Sequence, residues 1–561
     1  MTAWRRLQWL CGAVLLASCA SEAGVVSTRS VSLPAAFDRE VPLDDVDDLP
    51  DIDAVEWGEC DHQDAPWECG SIEVPLDYRR PLDMGTVTIA VARLPATDLV
   101  ARIGSLVLNP GGPGGSGIDL AWGYARLFPD ELLARFDLVG FDPRGVGRSS
   151  AVDCGDLNRS FRVVERDCIE RSGRLLPYVG TPNAARDMEQ LRKALGDDQL
   201  TYLGFSYGTA LGAVYADLFP DSVRALVLDG SVDPEAGAYN VDGTAVGSFG
   251  TPFYGVQDFG GTVEVFFELC DAVRDCKAGP RSADLLDDLY GDVSDADTDY
   301  FDDWDSRVTP GQVDGIITSA MYNTDLWGPL AVALADAAEG DASTMAALGS
   351  FLEAGYPREE NSFDNITEAN LAIYCADFAG RRGEFAVEYC RGWPETNEPI
   401  LPITPVDVAN PILVIGTDGD PATPGFLAPQ MAEALGDAVS LRWEGAGHTA
   451  FLNSECIDRY VVDYLVRLKV PPNRSRCGFT DGQNTLVARA RQVFGVDREQ
   501  LRARLASVFE AEGLSAKEAE CIAEAIVEEG SDSVMVYARL GVQQPDYLEL
   551  RGRLERECAA G

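Results

Sequence analysis

Four short apolar runs, each ending in glycine, proline or aspartate, constrain the fold of this chain more than any other feature. They lie between residues 105 and 230 and read SLVLNPGG, FDLVGFDPRG, LTYLGFSYG and VRALVLDG. Segments with helical spacing separate them, among them PNAARDMEQLRKALG. Continuously apolar strands that alternate with helices are typical of a parallel sheet covered on both faces. The sequence therefore predicts an α/β fold with a mostly parallel sheet.

The strand pattern stops near residue 235 and returns near residue 410 with NPILVIGTDGD, AVSLRWEGAGH and the helical CIDRYVVDYLVRLK. The interval between is rich in Asp and mostly helical by spacing, which indicates a large helical cap inserted into the sheet domain. Beyond residue 480 the pattern is helical again. The predicted organisation is a signal peptide at 1–19, an acidic tether at 20–55, the first part of the core at 56–234, the cap at 235–405, the second part of the core at 406–479 and a small all-helical C-terminal domain at 480–561.

The N-terminus carries an export signal. Arg5 and Arg6 precede a short apolar stretch, and small residues follow it. The segment LLASC resembles the lipobox of bacterial lipoproteins, which predicts lipidation of Cys19; the alternative is an ordinary signal cleaved near Ala20. Acyl chains would anchor the protein by burial in the bilayer. We therefore expect an exported protein that is lipid-anchored on the outer face of the cytoplasmic membrane or secreted. No later apolar run reaches the roughly 18 residues of a membrane helix, so a lipid would be the membrane anchor.

The cysteines indicate disulfides. Of the 14 cysteines, Cys11 leaves with the signal and Cys19 is used for lipidation, so an even number remains. Sequence alone does not determine the connectivity, and pairing of neighbours gives Cys60–Cys69, Cys154–Cys168, Cys270–Cys276, Cys375–Cys390, Cys456–Cys477 and Cys521–Cys558. The pair at 270 and 276 requires a helix to end between the two residues. A zinc site is not expected, because there is no C-x-x-C and the chain has 2 histidines.

Composition excludes two broad classes of protein, disordered chains and nucleic-acid-binding proteins. With 46% hydrophobic residues the chain is not disordered. Its 45 Lys and Arg against 92 Asp and Glu give a formal charge of −47, which would repel a nucleic acid. No nucleic-acid partner is therefore expected, and the oligomeric state is not predicted.

The first motif with chemical content is GFSYG, Gly204 to Gly208, directly after the apolar run LTYL and before a helical segment. G-x-S-x-G at a strand-to-helix turn is the nucleophile elbow, in which the turn exposes the serine oxygen. It predicts Ser206 as a nucleophile. The structural alternative is that Ser206 only caps the following helix.

A serine nucleophile needs a base and an acid. The only histidines are His62, in a Cys-flanked stretch before the sheet, and His448, just after the last strand. His448 is the predicted base, since the order Ser, acid, His is that of α/β-hydrolases. Asp418 and Asp420 both follow the preceding strand; we favour Asp420 as the acid that orients the imidazole and treat Asp418 as a turn residue.

A glycine cluster, NPGGPGGSG, follows the strand SLVL. It contains G-x-G-x-x-G at Gly112, Gly114 and Gly117, a pattern also found in dinucleotide sites. Pro110 and Pro113 remove amides that a phosphate would need, so we expect no cofactor and instead an oxyanion hole. The predicted donors are the amides of Gly112 and Tyr207.

These motifs together resemble a known family. PGGPGG, FDPRGVGRS, GFSYGTALGAVYADLFP, GTDGDPATP and GAGHTAF are similar to α/β-hydrolases related to prolyl aminopeptidase, and most of all to exported tripeptidyl aminopeptidases of actinobacterial type. The resemblance covers about residues 55 to 480. It implies an α/β-hydrolase fold, the triad Ser206, Asp420 and His448, and oxyanion donors at Gly112 and Tyr207. The chain departs from the pattern at Asn109-Pro110, where prolyl aminopeptidases have a His before the glycines.

The predicted function is that of a serine exopeptidase acting on free peptide N-termini, with peptides as substrates. Binding a free ammonium group needs a buried carboxylate in the cap, for which Glu264, Glu268 and Asp377 are candidates. An esterase or lipase with the same triad is the nearest alternative. A surface binding protein on an inactive hydrolase fold is a more distant one.

Overall fold

The computed structural model describes the chain from residue 51 to residue 559, except residues 61–65, 82, 158, 233–261, 275, 280–309, 355–364, 379–389, 391, 395, 399, 401–402, 480–497, 512, 531–533 and 537–544. The predicted signal peptide, Cys19, His62 and most of the predicted tether lie outside the described residues. Among the helices of the described part, none has the length and apolar character needed to cross a membrane.

One sheet organises the chain, and its strands occur in the order β1-β2-β3-β5-β4-β6-β7-β8-β9-β10. The strands are β1 (Gly58–Glu59), β2 (Glu68–Pro75), β3 (Thr86–Leu94), β4 (Gly104–Asn109), β5 (Phe136–Phe141), β6 (Leu200–Phe205), β7 (Val223–Asp229), β8 (Ile412–Gly419), β9 (Ala438–Ala446) and β10 (Ser475–Cys477). The β1–β2, β2–β3 and β3–β5 pairs are antiparallel, and all other pairs are parallel. The predicted mostly parallel sheet is confirmed.

Helices cover the sheet, because its central strands are mostly apolar and are buried along their whole length. Every residue of β4 and β5 is buried, which requires cover on both faces. The helices that alternate with these strands are α1 (Gly117–Tyr124), α2 (Asp130–Arg135), α3 (Phe161–Ser172), α4 (Thr181–Leu195), α5 (Tyr207–Leu218), α11 (Leu427–Leu435) and α12 (Glu455–Arg467). Apolar residues of α1, α2 and α12 form one buried cluster with β4, β6, β7 and β8.

The described residues between β7 and β8 include five α-helices. They are α6 (Thr262–Asp271), α7 (Pro310–Tyr322), α8 (Trp327–Ala338), α9 (Ser343–Ala354) and α10 (Ile366–Phe378). They have a hydrophobic core of their own in which Trp327 is fully buried, and its indole Nε1 donates to the Ala320 carbonyl at 3.0 Å. This helical region lies where the cap is predicted.

The C-terminal residues also form helices: α13 (Arg498–Ala511), α14 (Ala516–Glu529) and α15 (Pro545–Ala559). Ser515 and Glu518 form a capping box at the start of α14, satisfying two backbone amides. Phe509 and Ile522 are buried in a small core that also includes Ala347 of α9. The C-terminal helices therefore pack against the cap region.

Within the described residues, six disulfides join the cysteines in the six pairs expected from sequence order. Cys270 lies in α6, which ends at Asp271, so Cys276 is beyond the helix as that pairing requires. Disulfides in this number are typical of a protein exported to an oxidising compartment.

Candidate active site

Ser206 occupies a strained turn between β6 and α5. Its φ of 55° and ψ of −124° are rare for a residue with a side chain. The Ser206 amide donates to the Asp229 carbonyl at 2.9 Å, and the Thr209 hydroxyl donates to the Ser206 carbonyl at 2.6 Å. A Cβ on Gly204 would lie 2.5 Å from the carbonyl oxygen of Gly208, so the turn needs a glycine there. The Ser206 side chain makes no capping hydrogen bond to α5, which favours the nucleophile over the helix-cap interpretation.

His448 follows β9, and its imidazole contacts a buried carboxylate. Its Nδ1 lies 2.9 and 3.0 Å from the two carboxylate oxygens of Asp420, which is fully buried. Because Nδ1 is directed at Asp420, Nε2 is the ring nitrogen that remains for proton transfer. Burial alone would lower the pKa of His448, but the charge and hydrogen bond of Asp420, with a further contribution from the charge of Asp229, raise it above its ordinary value.

The two candidate acids have different environments. The Asp420 carboxylate accepts hydrogen bonds from the amides of Thr423 at 2.7 Å and Thr449 at 3.0 Å, as well as from the Thr423 hydroxyl at 2.9 Å. Asp418 instead accepts from Arg442 Nε at 2.8 Å, and both side chains are partly exposed. Of the two, it is Asp420 that lies against the imidazole.

Successive parallel strands bring these groups to one edge of the sheet. Ser206 follows β6, Asp420 follows β8 and His448 follows β9, and the carboxyl ends of parallel strands share an edge. The turn after β7 lies between them. A Cβ on Gly230 in that turn would be 3.6 Å from His448 Cε1, while the neighbouring Asp229 carbonyl holds the Ser206 amide.

The glycine cluster packs directly on the serine turn. Gly111 has a φ of +91°, and a Cβ there would lie 2.9 Å from both Ser206 Cβ and the Tyr207 amide nitrogen. The Gly111 amide donates to Asn109 Oδ1 at 2.9 Å. The buried Asn109, at the departure from the family pattern, therefore shapes the loop whose Gly111 packs on the turn of Ser206 and Tyr207. The predicted donor Gly112 is the next residue of this loop.

The cap contacts this region through a chain of three side chains. Asp377 of α10 is buried and accepts hydrogen bonds from the Thr181 amide at 2.7 Å and the Thr181 hydroxyl at 2.6 Å. Since that hydroxyl proton is given to Asp377, the Tyr207 hydroxyl donates to Thr181 Oγ1. Burial, and then the charge of Asp377, raise the pKa of Tyr207 well above its ordinary value, so the phenol stays protonated.

The other two acids considered for ammonium binding, Glu264 and Glu268, lie on the exposed face of α6.

Tyr322 at the end of α7 is a further residue beside His448. Its ring lies 5.0 Å from the imidazole in an edge-on arrangement, and its carbonyl accepts the His448 amide at 2.8 Å. No sequence motif marks Tyr322, whereas Asp229 ends an apolar strand in the same way as the predicted residues.

Comparison with known proteins agrees with the α/β-hydrolase fold. Residues 104–253 match the model of the alpha/beta hydrolase fold, and residues 376–477 match that of TAP-like proteins. Serine protease Hip1 of Mycobacterium tuberculosis is 31% identical, with 73% of this chain and 87% of the relative covered. Tripeptidyl aminopeptidase of Streptomyces coelicolor is 28% identical over 73% of this chain and 84% of the relative. Carboxylesterase B of Mycobacterium tuberculosis is 32% identical over 73% and 86%, respectively.

Proposed function

Because this chain belongs to the α/β-hydrolases with a TAP-like region and is a serine hydrolase, we propose that it is an exported aminopeptidase that cleaves short peptides or single residues from free N-termini. The observation that carries the proposal is the contact of 2.9 Å between His448 Nδ1 and Asp420, at the sheet edge that also presents the strained Ser206 turn. A residue in sparsely populated backbone geometry persists only where the surrounding structure holds it, and such residues concentrate at functional sites.

In the proposed reaction His448 Nε2 removes the hydroxyl proton of Ser206, whose oxygen attacks the scissile carbonyl carbon. The amides of Gly112 and Tyr207 bind the oxyanion as the tetrahedral intermediate forms. His448 then donates its proton to the leaving amine, and an acyl-enzyme remains on Ser206. Water, deprotonated by the same imidazole, hydrolyses the ester. Asp420 holds the Nδ1–H tautomer and stabilises the imidazolium.

Two relatives named as peptidases favour an amide substrate, and the relative named as a carboxylesterase favours an ester hydrolase as the second candidate. The same triad serves both reactions, so recognition of the substrate amine separates them. Asp377 is engaged by Thr181, and Glu264 and Glu268 are exposed. We therefore assign ammonium binding to none of the three acids.

The test uses aminoacyl and tripeptidyl p-nitroanilides with free α-amines, their N-acetylated forms, and a p-nitrophenyl ester. The proposal expects cleavage of the free forms and loss of cleavage on acetylation. Turnover of the ester alone would establish the esterase alternative. Ser206→Ala should abolish both turnover and labelling by a fluorophosphonate, and folded wild-type protein that neither turns over nor labels would support a non-catalytic binding role.

We further infer that the protein is anchored to the membrane through a lipid on Cys19, as the LLASC segment predicts. A Cys19→Ser variant should then leave the membrane fraction, and an unchanged distribution would contradict the anchor.

A further inference from the structure

A second buried carboxylate lies at the same sheet edge and has no role in the proposed reaction. Asp229 ends β7, the strand between β6 and β8, and its side chain is fully buried. A buried carboxylate is costly unless hydrogen bonds satisfy it. Here Oδ2 accepts from the amide of Phe451 at 2.7 Å and from that of Ala450 at 3.0 Å. Both donors belong to the turn that follows His448.

The main chain of Asp229 contacts the turn that carries the nucleophile Ser206. Its carbonyl oxygen accepts the Ser206 amide at 2.9 Å. The next residue, Gly230, has a φ of +68°, and a Cβ there would lie 2.9 Å from Thr449 Cγ2 and 3.6 Å from His448 Cε1. One residue and its neighbour thus contact both the segment of the nucleophile and the segment of the base.

The turn after His448 is strained and is held by carboxylates. Thr449 and Leu452 have φ values of 69° and 70°, in the left-handed region that side-chain-bearing residues rarely adopt. The amide of Thr449 donates to Asp420 at 3.0 Å, and that of Leu452 donates to Asp458 at 2.8 Å. The amides of Ala450 and Phe451, the two residues between Thr449 and Leu452, donate to Asp229. Such backbone geometry persists only where surrounding contacts impose it.

We propose that Asp229 is a positioning residue for the hydrolytic reaction: its carboxylate holds the turn that carries His448, and its carbonyl holds Ser206. The nucleophile and the base are thereby placed relative to each other by a single residue. This inference rests on the proposed function of Ser206 and His448.

The charge of Asp229 adds an effect that can be measured. Burial raises the pKa of Asp229 to about 6, against the hydrogen bonds from Phe451 and Ala450 that lower it. The charged groups that act on it are Asp420, which raises its pKa further, and His448, which lowers it. At neutral pH Asp229 is therefore ionised, and its charge is one of the interactions that raise the pKa of His448.

The test compares Asp229→Asn and Asp229→Ala with the wild type on a substrate that the wild type cleaves. In Asp229→Asn the amide oxygen can still accept hydrogen bonds in place of Oδ2, but the charge is gone. The pKa of His448 should fall, and the acid limb of the kcat/KM profile should move to lower pH, on the order of one unit. Asp229→Ala removes the hydrogen bonds as well, and kcat should fall about 100-fold, the effect of an ångström-scale displacement of a catalytic group.

A matched control is Asp137→Asn. Asp137 is also buried and also accepts a main-chain amide, from Ala96 at 2.9 Å, but it lies at the amino end of β5. This variant should lose stability without moving the acid limb. An unmoved acid limb in Asp229→Asn, or a folded Asp229→Ala with wild-type kcat, would overturn the inference while leaving the proposed function intact. A wild type that is neither active nor labelled by a fluorophosphonate would overturn the proposed function itself.

Discussion

The sheet edge and the cap above it are held in different ways. At the edge, the amide of Ser206 donates to the Asp229 carbonyl, and the amides of the turn after His448 donate to buried carboxylates. Close glycine contacts accompany these hydrogen bonds. The cap helix α10 instead contacts the core through the side chains of Asn365, Asn370 and Asp377. At the edge the main chain of the reacting segments is itself bound, whereas helix α10 is placed on the core by side chains that substitution can remove.

Helix α10 lies directly against the glycine loop. Asn370 Nδ2 donates to the Pro113 carbonyl at 2.9 Å, and a Cβ on Gly114 would lie 2.7 Å from the Ile366 carbonyl oxygen. At the start of the helix, the buried Asn365 accepts the Gly147 amide at 2.8 Å. Contacts of this kind can be removed one at a time, so substitutions can separate chemistry from cap placement.

The largest effect should come from the acid beside the imidazole. Asp420→Asn keeps the shape of the side chain but favours the wrong imidazole tautomer, and kcat should fall on the order of 10⁴-fold. The matched variant Asp418→Asn removes only a partly exposed pair with Arg442 and should leave kcat nearly unchanged. Steady-state kinetics of both variants tests the assignment, and a larger loss in Asp418→Asn would reverse it.

An intermediate effect is expected where the cap contacts the oxyanion region. Thr181→Val preserves the shape of Thr181 but removes the hydroxyl that links Tyr207 to Asp377. Removing a whole oxyanion donor costs about 10²- to 10³-fold in kcat, so a displaced Tyr207 amide should cost less, about 10-fold.

Thr181→Ser is the control for this contact, because it retains the hydroxyl and should remain near wild type. Equal kcat values for the Val and Ser variants, with both folded by circular dichroism, would show that the link does not affect the oxyanion donors.

How well the sequence predicts a feature of this protein depends on how far apart along the chain the interacting residues lie. Ser206 and His448 follow apolar strands, and a strand with its turn is a local pattern. The link between Thr181 and Asp377 joins residues 196 positions apart, and no local pattern indicates it. Asp229 shows the intermediate case. Its position after a strand could be read from the sequence, whereas its bonds to amides 221 and 222 residues away required the fold.

The smallest effect on rate is expected at Asn365, which contacts the core away from the reacting groups. Its Nδ2 donates to the carbonyls of Gly145 at 2.8 Å and Val152 at 2.9 Å. Asn365→Ala removes the Asn365 partner of the Val152 carbonyl and of the Gly147 amide, whereas the Gly145 carbonyl still accepts the Val152 amide. The free energy of unfolding should fall by about 1–3 kcal/mol. Because α10 would lose the contact at its start, KM should rise while kcat stays near wild type.

Asn410→Ala separates this cap effect from destabilisation alone. Asn410 donates to the Arg224 carbonyl at 2.9 Å, just before β8 and at the opposite edge of the sheet from the site. Both variants should unfold at a lower temperature in a thermal melt, but only Asn365→Ala should change KM. If both variants raised KM equally, the increase in KM would reflect general destabilisation of the fold. Asn365 would then have no specific part in placing helix α10 on the core.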